Sequence, residues 1–334
     1  MTLKLGTIGT NWITKMFAEA AQMTQEYELS AVYSRTVEKG QVFADELDSS
    51  AAVFTDLDEF LKSGIQVVYI ASPNSLHFKQ AQAAIKADVN VIVEKSAFDN
   101  PQQYEVIYSL LQMHPSVRLF EGARHLYQPN FMAIEEQIKQ MEHISGATLV
   151  FEKYSSRFDD YLAGKQPNVL TREFSAGALA DLGIYPLYAA IKLFGLPNNQ
   201  YYFATKLTNG ADGRGTAILR YDNFDVTLLF GKGSNSYEHS EILGRRDTIV
   251  IDNIAELGKV TYLDGQGQER VISTPVPTNP MVQEAQKFAD IMNRPAESRP
   301  EYEEMLLLSQ QVNLVLTKLR QSAGITFPSD PHTN

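Results

Sequence analysis

Between Leu3 and Glu121, short apolar runs alternate with stretches whose apolar residues recur at helical spacing. Leu3–Ile8 reads as a first strand, Gly9 breaks it, and Asn11–Gln25 carries a helical pattern. Tyr27–Tyr33 and Val37–Leu47 repeat the strand and the helix. Val53 and Phe54 give a short third strand, and Asp56 and Asp58 open an acidic helix start that suits the positive end of a helix dipole. Gln66–Ala71 is a fourth strand, followed by a helix over Ser75–Ala87 with Ser75 as its expected cap. Val91–Val93 forms a fifth, and Pro101 sits near the first turn of the next helix, where its missing N–H costs little. Ser116–Glu121 supplies a sixth. Such alternation predicts a doubly wound parallel sheet.

Beyond residue 125 the rhythm changes. Phe131–Met141 reads as a connecting helix, Gly146–Arg157 as a long strand, and Gly177–Phe194 as an apolar helix entered through a small-residue turn. Strand-like runs follow at Tyr201–Leu207, Thr216–Tyr221, Asp225–Phe230, Ser240–Leu243, Thr248–Ile251 and Val260–Leu263. Asn209-Gly210 and Asp264-Gly265 punctuate them, which predicts an antiparallel meander. Helices over Met281–Met292 and Tyr302–Arg320 close the pattern. The expected α/β architecture is therefore a dinucleotide-binding (Rossmann) domain over residues 1–125 and an α+β domain over 126–334 with a large, mainly antiparallel open sheet. Such a sheet needs cover, either from the chain's own helices or from a homodimer or homotetramer formed through it.

The 334 residues suffice for two domains with their own cores. With 44% hydrophobic and 21% charged residues, the composition is that of a globular protein rather than a disordered chain. Against 40 acidic residues stand 29 basic ones, a net charge of −11, which argues against nucleic acid or an anionic membrane as partner. Any site for a phosphate-bearing ligand must then be locally basic. The absence of cysteine excludes disulfides, a thiolate nucleophile and cysteine-ligated metal. His77, His114, His125, His143, His239 and His332 show no metal-ligand spacing, so no metal is expected. The opening MTLKLGTIG enters a strand pattern directly and no apolar run reaches about 18 residues, giving the expectation of a cytoplasmic protein.

Val89–Asn100, VNVIVEKSAFDN, is the stretch around which the chemistry gathers. Its apolar run stops at Glu94 and Lys95. Ligands of open α/β sheets bind outside the carboxyl ends of strands, which makes Lys95 a catalytic candidate; the pair also reads as a strand leaving for solvent, as most charged pairs after an apolar run do. A phosphate-cradling turn would fall at Gly9, Thr10, Asn11, Trp12 and Ile13. Of its usual three glycines only Gly9 survives, with Asn11 in the second place and Thr14 in the third. Asparagine is a tolerable replacement because it enters left-handed backbone readily. At the second strand's tip, Tyr33-Ser34-Arg35-Thr36 carries no acid for a ribose hydroxyl, whereas Ser34 and Arg35 suit a 2′-phosphate. NADP(H) is thus preferred, with NAD(H) possible. Ser72, Pro73, Asn74 and His77 form a turn that could lie along the nicotinamide ribose or be a plain turn. Asp181 and Tyr185 lie four apart, on one helix face; the tyrosine can exchange a proton with an alcohol, whereas the plainer readings are a capping aspartate and a half-buried core tyrosine, the more common role for any one of 16 tyrosines.

Together, Ser72-Pro73-Asn74 with His77, the Glu94-Lys95 pair, and Gly177-Ala178-Leu179 leading to Asp181, Gly183 and Tyr185 resemble the Gfo/Idh/MocA oxidoreductase family. The resemblance covers nearly the whole chain and is closest to the branch whose proton-transfer residue is tyrosine, as in dihydrodiol dehydrogenase and glucose–fructose oxidoreductase. It implies that Lys95 touches nicotinamide and substrate, that Glu94 belongs to the same motif, and that Tyr185 moves the proton. Ser96 stands where the family has proline, which predicts a less constrained backbone after Lys95. Where the family shows an arginine shortly after Glu121, this chain has Leu126, with Arg124 and His125 just before it as candidate substrate contacts.

The expected function is an NADP(H)-preferring oxidoreductase that interconverts a secondary alcohol and a carbonyl on a sugar, cyclitol or related polyol. Lys95, Asp181 and Tyr185 would be catalytic; Lys95, Arg124, His125, Asp181 and Tyr185 would contact substrate. Two alternatives stand beside it: a non-catalytic NAD(P)-binding sensor on the same fold, favoured by the reduced glycine turn, and a dihydrodiol dehydrogenase acting on apolar ring diols.

Overall fold

The computed structural model describes residues 2–331. By compactness the chain forms two units, one built from residues up to 124 with 277–309, the other from 125–276 with 310 onward. In the first, β1 (Leu3–Ile8), α1 (Trp12–Thr24), β2 (Tyr27–Tyr33), α2 (Val37–Asp45), β3 (Ala52–Phe54), α3 (Leu57–Leu61), β4 (Val67–Ile70), α4 (Asn74–Lys86), β5 (Asn90–Glu94), α5 (Pro101–Met113) and β6 (Leu119–Gly122) follow in turn. The strands lie in the order β3-β2-β1-β4-β5-β6, and every pairing is parallel. β4 is buried at every position, as a strand covered on both faces must be, which is why it reads as a continuous apolar run. Side-chain caps begin the helices: Thr36 accepts from Lys39 N, Asp56 from Glu59 N, and Asn100 from Gln103 N just ahead of Pro101. α4 departs from expectation, starting at Asn74 after Pro73 without a side-chain cap. Chain order reverses between β1 and β4, so the turns leaving these two strands flank the crevice where such sheets bind ligands.

The second unit holds α6 (Pro129–Gln140), β7 (Gly146–Glu152), α7 (Phe158–Leu162), α8 (Ile184–Phe194), β8 (Asn199–Lys206), β9 (Asp212–Arg220), β10 (Asp225–Gly231), β11 (Ser240–Leu243), β12 (Thr248–Ile251), β13 (Val260–Leu263) and β14 (Glu269–Val271). Its eight-stranded sheet runs β14-β13-β12-β11-β7-β10-β9-β8. The meander is interrupted by β7, which lies between β11 and β10, antiparallel to the first and parallel to the second. β7 also ends at Glu152, five residues before the expected Arg157. Register sorts side chains between faces. Tyr202, Ala217, Leu228 and Leu149 align across four strands and are all buried. On the opposite face Phe203 aligns with Thr216 and Leu229, and Phe203 remains 65% exposed. Among the described residues one helical stretch, Arg172–Phe194, is long and apolar enough to cross a membrane; 83% of its apolar window is buried, as in a core helix.

α9 (Val282–Asn293) and the start of α10 (Arg299–Ser322) return to the first unit, although the expected division at 125 counts them with the second. Phe288 of α9 stacks on Phe120 at 4.5 Å between ring centres, and Tyr27 donates to Ala285 O at 2.8 Å. The apolar stripe of α9 (Ala285, Phe288 and Ala289) is legible in sequence, but its partner is not.

Candidate active site

At the crevice end of the first unit, Gly9 adopts φ +107°, and a Cβ there would lie 3.0 Å from Ala71 O, so this position of the turn requires glycine. Asn11 behaves otherwise than expected. Its backbone is extended (φ −93°, ψ 176°), so no left-handed tolerance is needed. Its Oδ1 accepts from Ile13 N and Thr14 N at 3.0 and 3.1 Å, capping α1, and its Nδ2 donates to Ala71 O at 2.8 Å, tying the turns after β1 and β4 together. Trp12 opens α1 with 71% of its surface exposed. Ser34 is buried and Arg35 exposed at the end of β2, with no acid among Tyr33–Thr36. A turn glycine, a helix amino terminus and an unopposed arginine fit a dinucleotide phosphate set.

After β4, Ser72, Pro73 and Asn74 are half-buried, and Ser72 Oγ donates to Gln80 at 2.6 Å. His77 is fully buried, its Nε2 2.8 Å from Ser72 O and its Nδ1 3.1 Å from Ser96 O. Burial holds its imidazole below the ordinary value, against the two carbonyls. The structure thus places His77 as a brace between the turns after β4 and β5. Glu94 is buried and receives the Tyr69 hydroxyl at 2.5 Å, with Phe17 stacked on the Tyr69 ring at 3.9 Å. Burial pushes its carboxyl up, opposed first by Lys95. Lys95 is half-buried at the strand's carboxyl end, and the Lys95–Ser96 peptide is cis. Glu121 Oε1 accepts from Ala97 N at 2.9 Å, and Ser309 Oγ donates to its other oxygen, so the chain after Lys95 is held despite the missing proline. Arg124, 8% exposed, opens a 3-10 turn over Arg124–Tyr127.

In the second unit, the helix expected over Gly177–Phe194 begins as a π-helical turn, Leu179–Gly183, and continues as α8. Asp181 lies on that wide turn and Tyr185 in the first turn of α8. Tyr185 is buried to 9% exposure, its ring 5.0 Å from His125 and 5.2 Å from Phe151. His125 is 1% exposed, with Nε2 3.1 Å from Tyr185 O, so it supports the tyrosine from behind. Asp212, at the start of β9, accepts from Leu179 N at 2.6 Å and Tyr202 OH at 2.7 Å, locking the entry to the π turn. Burial pushes its carboxyl up.

Among the buried charged residues that sequence reading did not single out are Lys232, Asp212 and Glu284. Lys232, 2% exposed, pairs with Asp181; Asp212 holds the π turn; Glu284, fully buried on α9, has neither carboxylate oxygen hydrogen-bonded among the described residues. Lys232 carried a signal, since it follows the apolar run of β10 as Lys95 follows that of β5. Among the described residues no three His, Cys, Asp or Glu side chains gather into a metal-binding group; His332 lies outside them.

A doubly wound parallel sheet with a phosphate-compatible turn after its first strand is the architecture of a dinucleotide-binding domain, here followed by a mostly antiparallel second sheet. Comparison with known proteins agrees: residues 3–121 match the family described as the oxidoreductase family with an NAD-binding Rossmann fold, GFO_IDH_MocA. The chain is 35% identical over 329 residues to the uncharacterized oxidoreductase YgjR of Escherichia coli, covering 98% of both. It is likewise 35% identical over 332 residues to the NADP(+)-dependent scyllo-inositol 2-dehydrogenase IolU of Bacillus subtilis, covering 98% of this chain and 99% of that one. Among solved structures, KijD10, a 3-ketoreductase from Actinomadura kijaniata in complex with NADP and TDP-benzene, superposes with TM-score 0.84 over 96% of this chain and 98% of that one, at 17% identity. The protein belongs to the Gfo/Idh/MocA family and is an NAD(P)-dependent oxidoreductase.

Proposed function

We propose that the protein transfers a hydride between NADP(H) and a secondary alcohol or carbonyl carbon of a polyhydroxylated ring, a cyclitol or a sugar. The observation that carries this reading is full-length similarity to IolU, which acts on scyllo-inositol with NADP(+). Gly9 and the start of α1 would receive the pyrophosphate, and Ser34 with Arg35 the 2′-phosphate. Bound nicotinamide supplies or takes the hydride. Lys95 holds the reacting substrate oxygen and stabilises its developing charge. Tyr185 carries the hydroxyl proton, and Asp181 accepts hydrogen bonds from ring hydroxyls. Glu94 and His77 set the backbone on either side of the cofactor-facing turns.

The half-exposed carboxylate of Asp181 favours a polyol over an apolar diol. The sensor alternative loses its main support, because Gly9 alone carries the left-handed turn and Asn11 caps the helix. We also assign a homodimer or homotetramer to the open sheet face, on which Tyr201 and Phe203 are 49% and 65% exposed.

The test is titration of the purified chain with NADPH and NADH, read as quenching of its only tryptophan, Trp12, followed by NADPH formation from NADP+ with scyllo-inositol, myo-inositol, glucose and xylose. Tighter NADPH binding and turnover of a polyol support the proposal. Binding without turnover of any polyol returns the sensor reading.

A further inference from the structure

Lys232 follows the last residue of β10, and its main chain is fixed on both sides: its N donates to Gly213 O and its O accepts from Ser155 N, each at 2.8 Å. The side chain is 2% exposed. Its ammonium donates to Val169 O at 3.1 Å and to the Asp181 carboxylate, whose side chain retains 31% exposure. The pair is thus asymmetric, with a sequestered cation and an open anion. A cation so buried is out of reach of an incoming ligand, whereas the carboxylate is within reach. Buried ion pairs add little net stability, because desolvation offsets most of the attraction. Their characteristic use is to hold a charged group in one place.

We infer that Lys232 is a positioning residue: it holds the Asp181 carboxylate as the acceptor for substrate hydroxyls and ties that carboxylate to the Asn168–Leu170 turn. Leu170 is fully buried and its O receives Asn209 Nδ2 at 2.8 Å, so this turn is a firm anchor. Asp181 sits on the π turn, where the ladder is wider than in a regular helix, and Lys232 supplies the constraint from outside that turn.

The inference rests on the polyol reading of Asp181, and the experiment separates the two. With NADP+ and scyllo-inositol as probe, Lys232→Met and Asp181→Asn are each expected to lose about 10–100-fold in kcat/KM, mainly through KM. The double variant should lose no more than the worse single one, because Lys232 acts through Asp181. Losses that multiply overturn the inference. Side-chain 15N–1H spectra of the full chain without substrate give the second readout. A slowly exchanging lysine ammonium, absent in Lys232→Met, should shift in Asp181→Asn; a signal unmoved by that substitution overturns the inference whatever the turnover. Failure of the wild type to oxidise scyllo-inositol counts against the polyol reading, while the spectra still decide the role of Lys232.

Discussion

A Cβ placed on Gly177 would lie 2.0 Å from Oδ1 of Asp212, far inside any real contact, and Gly177 itself has φ +151°. Both facts bear on the start of the helix that carries Asp181 and Tyr185. Gly177→Ala must push Asp212 away from Leu179 N and Tyr202 OH, leaving a buried carboxyl without its donors. The expected loss is about 2–4 kcal/mol of unfolding free energy. Chemical denaturation checks it, as a lower midpoint at unchanged slope; a loss below about 0.5 kcal/mol would contradict it.

Glu284 predicts a pH dependence. Burial, reinforced by Glu94 and opposed by Arg124, raises its carboxyl well above the ordinary 4.5. A raised acid binds its proton more tightly folded than unfolded, so its contribution is fully present below the unfolded pKa and is lost as pH rises from about 4.5 upward. Glu94, also raised by burial, acts in the same sense. Glu284→Gln cannot ionise. Its Tm should match the wild type near pH 4.5 and exceed it increasingly as pH rises above that. Parallel Tm curves would show that Glu284 is not protonated in the fold.

Arg35 is the only cation at the tip of β2. If it receives the 2′-phosphate, Arg35→Ala should weaken NADPH by about 10–100-fold, the worth of a charge-assisted hydrogen-bond pair, and leave NADH nearly unchanged. Quenching of Trp12 measures both. An equal change for the two nucleotides removes Arg35 from the cofactor site.

Lys95, which is expected to touch nicotinamide as well as substrate, and Tyr185 are proposed to act chiefly in the chemical step. Lys95→Ala and Tyr185→Phe should each reduce kcat by about 100-fold or more with NADPH affinity within a few-fold of wild type. Steady-state kinetics beside the quenching titration separates these effects. An unchanged kcat in either variant discards its role.

Phe203 tests the open sheet face. If the proposed homodimer or homotetramer forms through this face, Phe203→Glu, which places a charge on a 65% exposed position of an edge strand, should give a smaller species than the wild type without lowering Tm by more than a few degrees. Light scattering after size-exclusion chromatography reads the mass. An unchanged mass moves the interface elsewhere.

The sequence by itself determined most of the elements, though not α7, β14 or the π turn, and one half of the site's logic. Side chains at spacings of two, three and four residues face the same way in a strand or helix, so each periodic run declares its type and buried face locally. The strand-turn-helix at Gly9, the apolar run ending at Lys95 and the apolar helix bearing Tyr185 were legible for that reason. Only the tertiary structure decided which runs became neighbours. It inserted β7 into the meander, returned α9 to the first unit, and made Asn11 a cap that bonds Ala71 across 60 residues. It also set Lys232 against Asp181, 51 residues earlier in the chain. A buried charge gives no periodic signal, because what makes it tolerable is a partner brought in by strand order and register, and no local spacing encodes that partner.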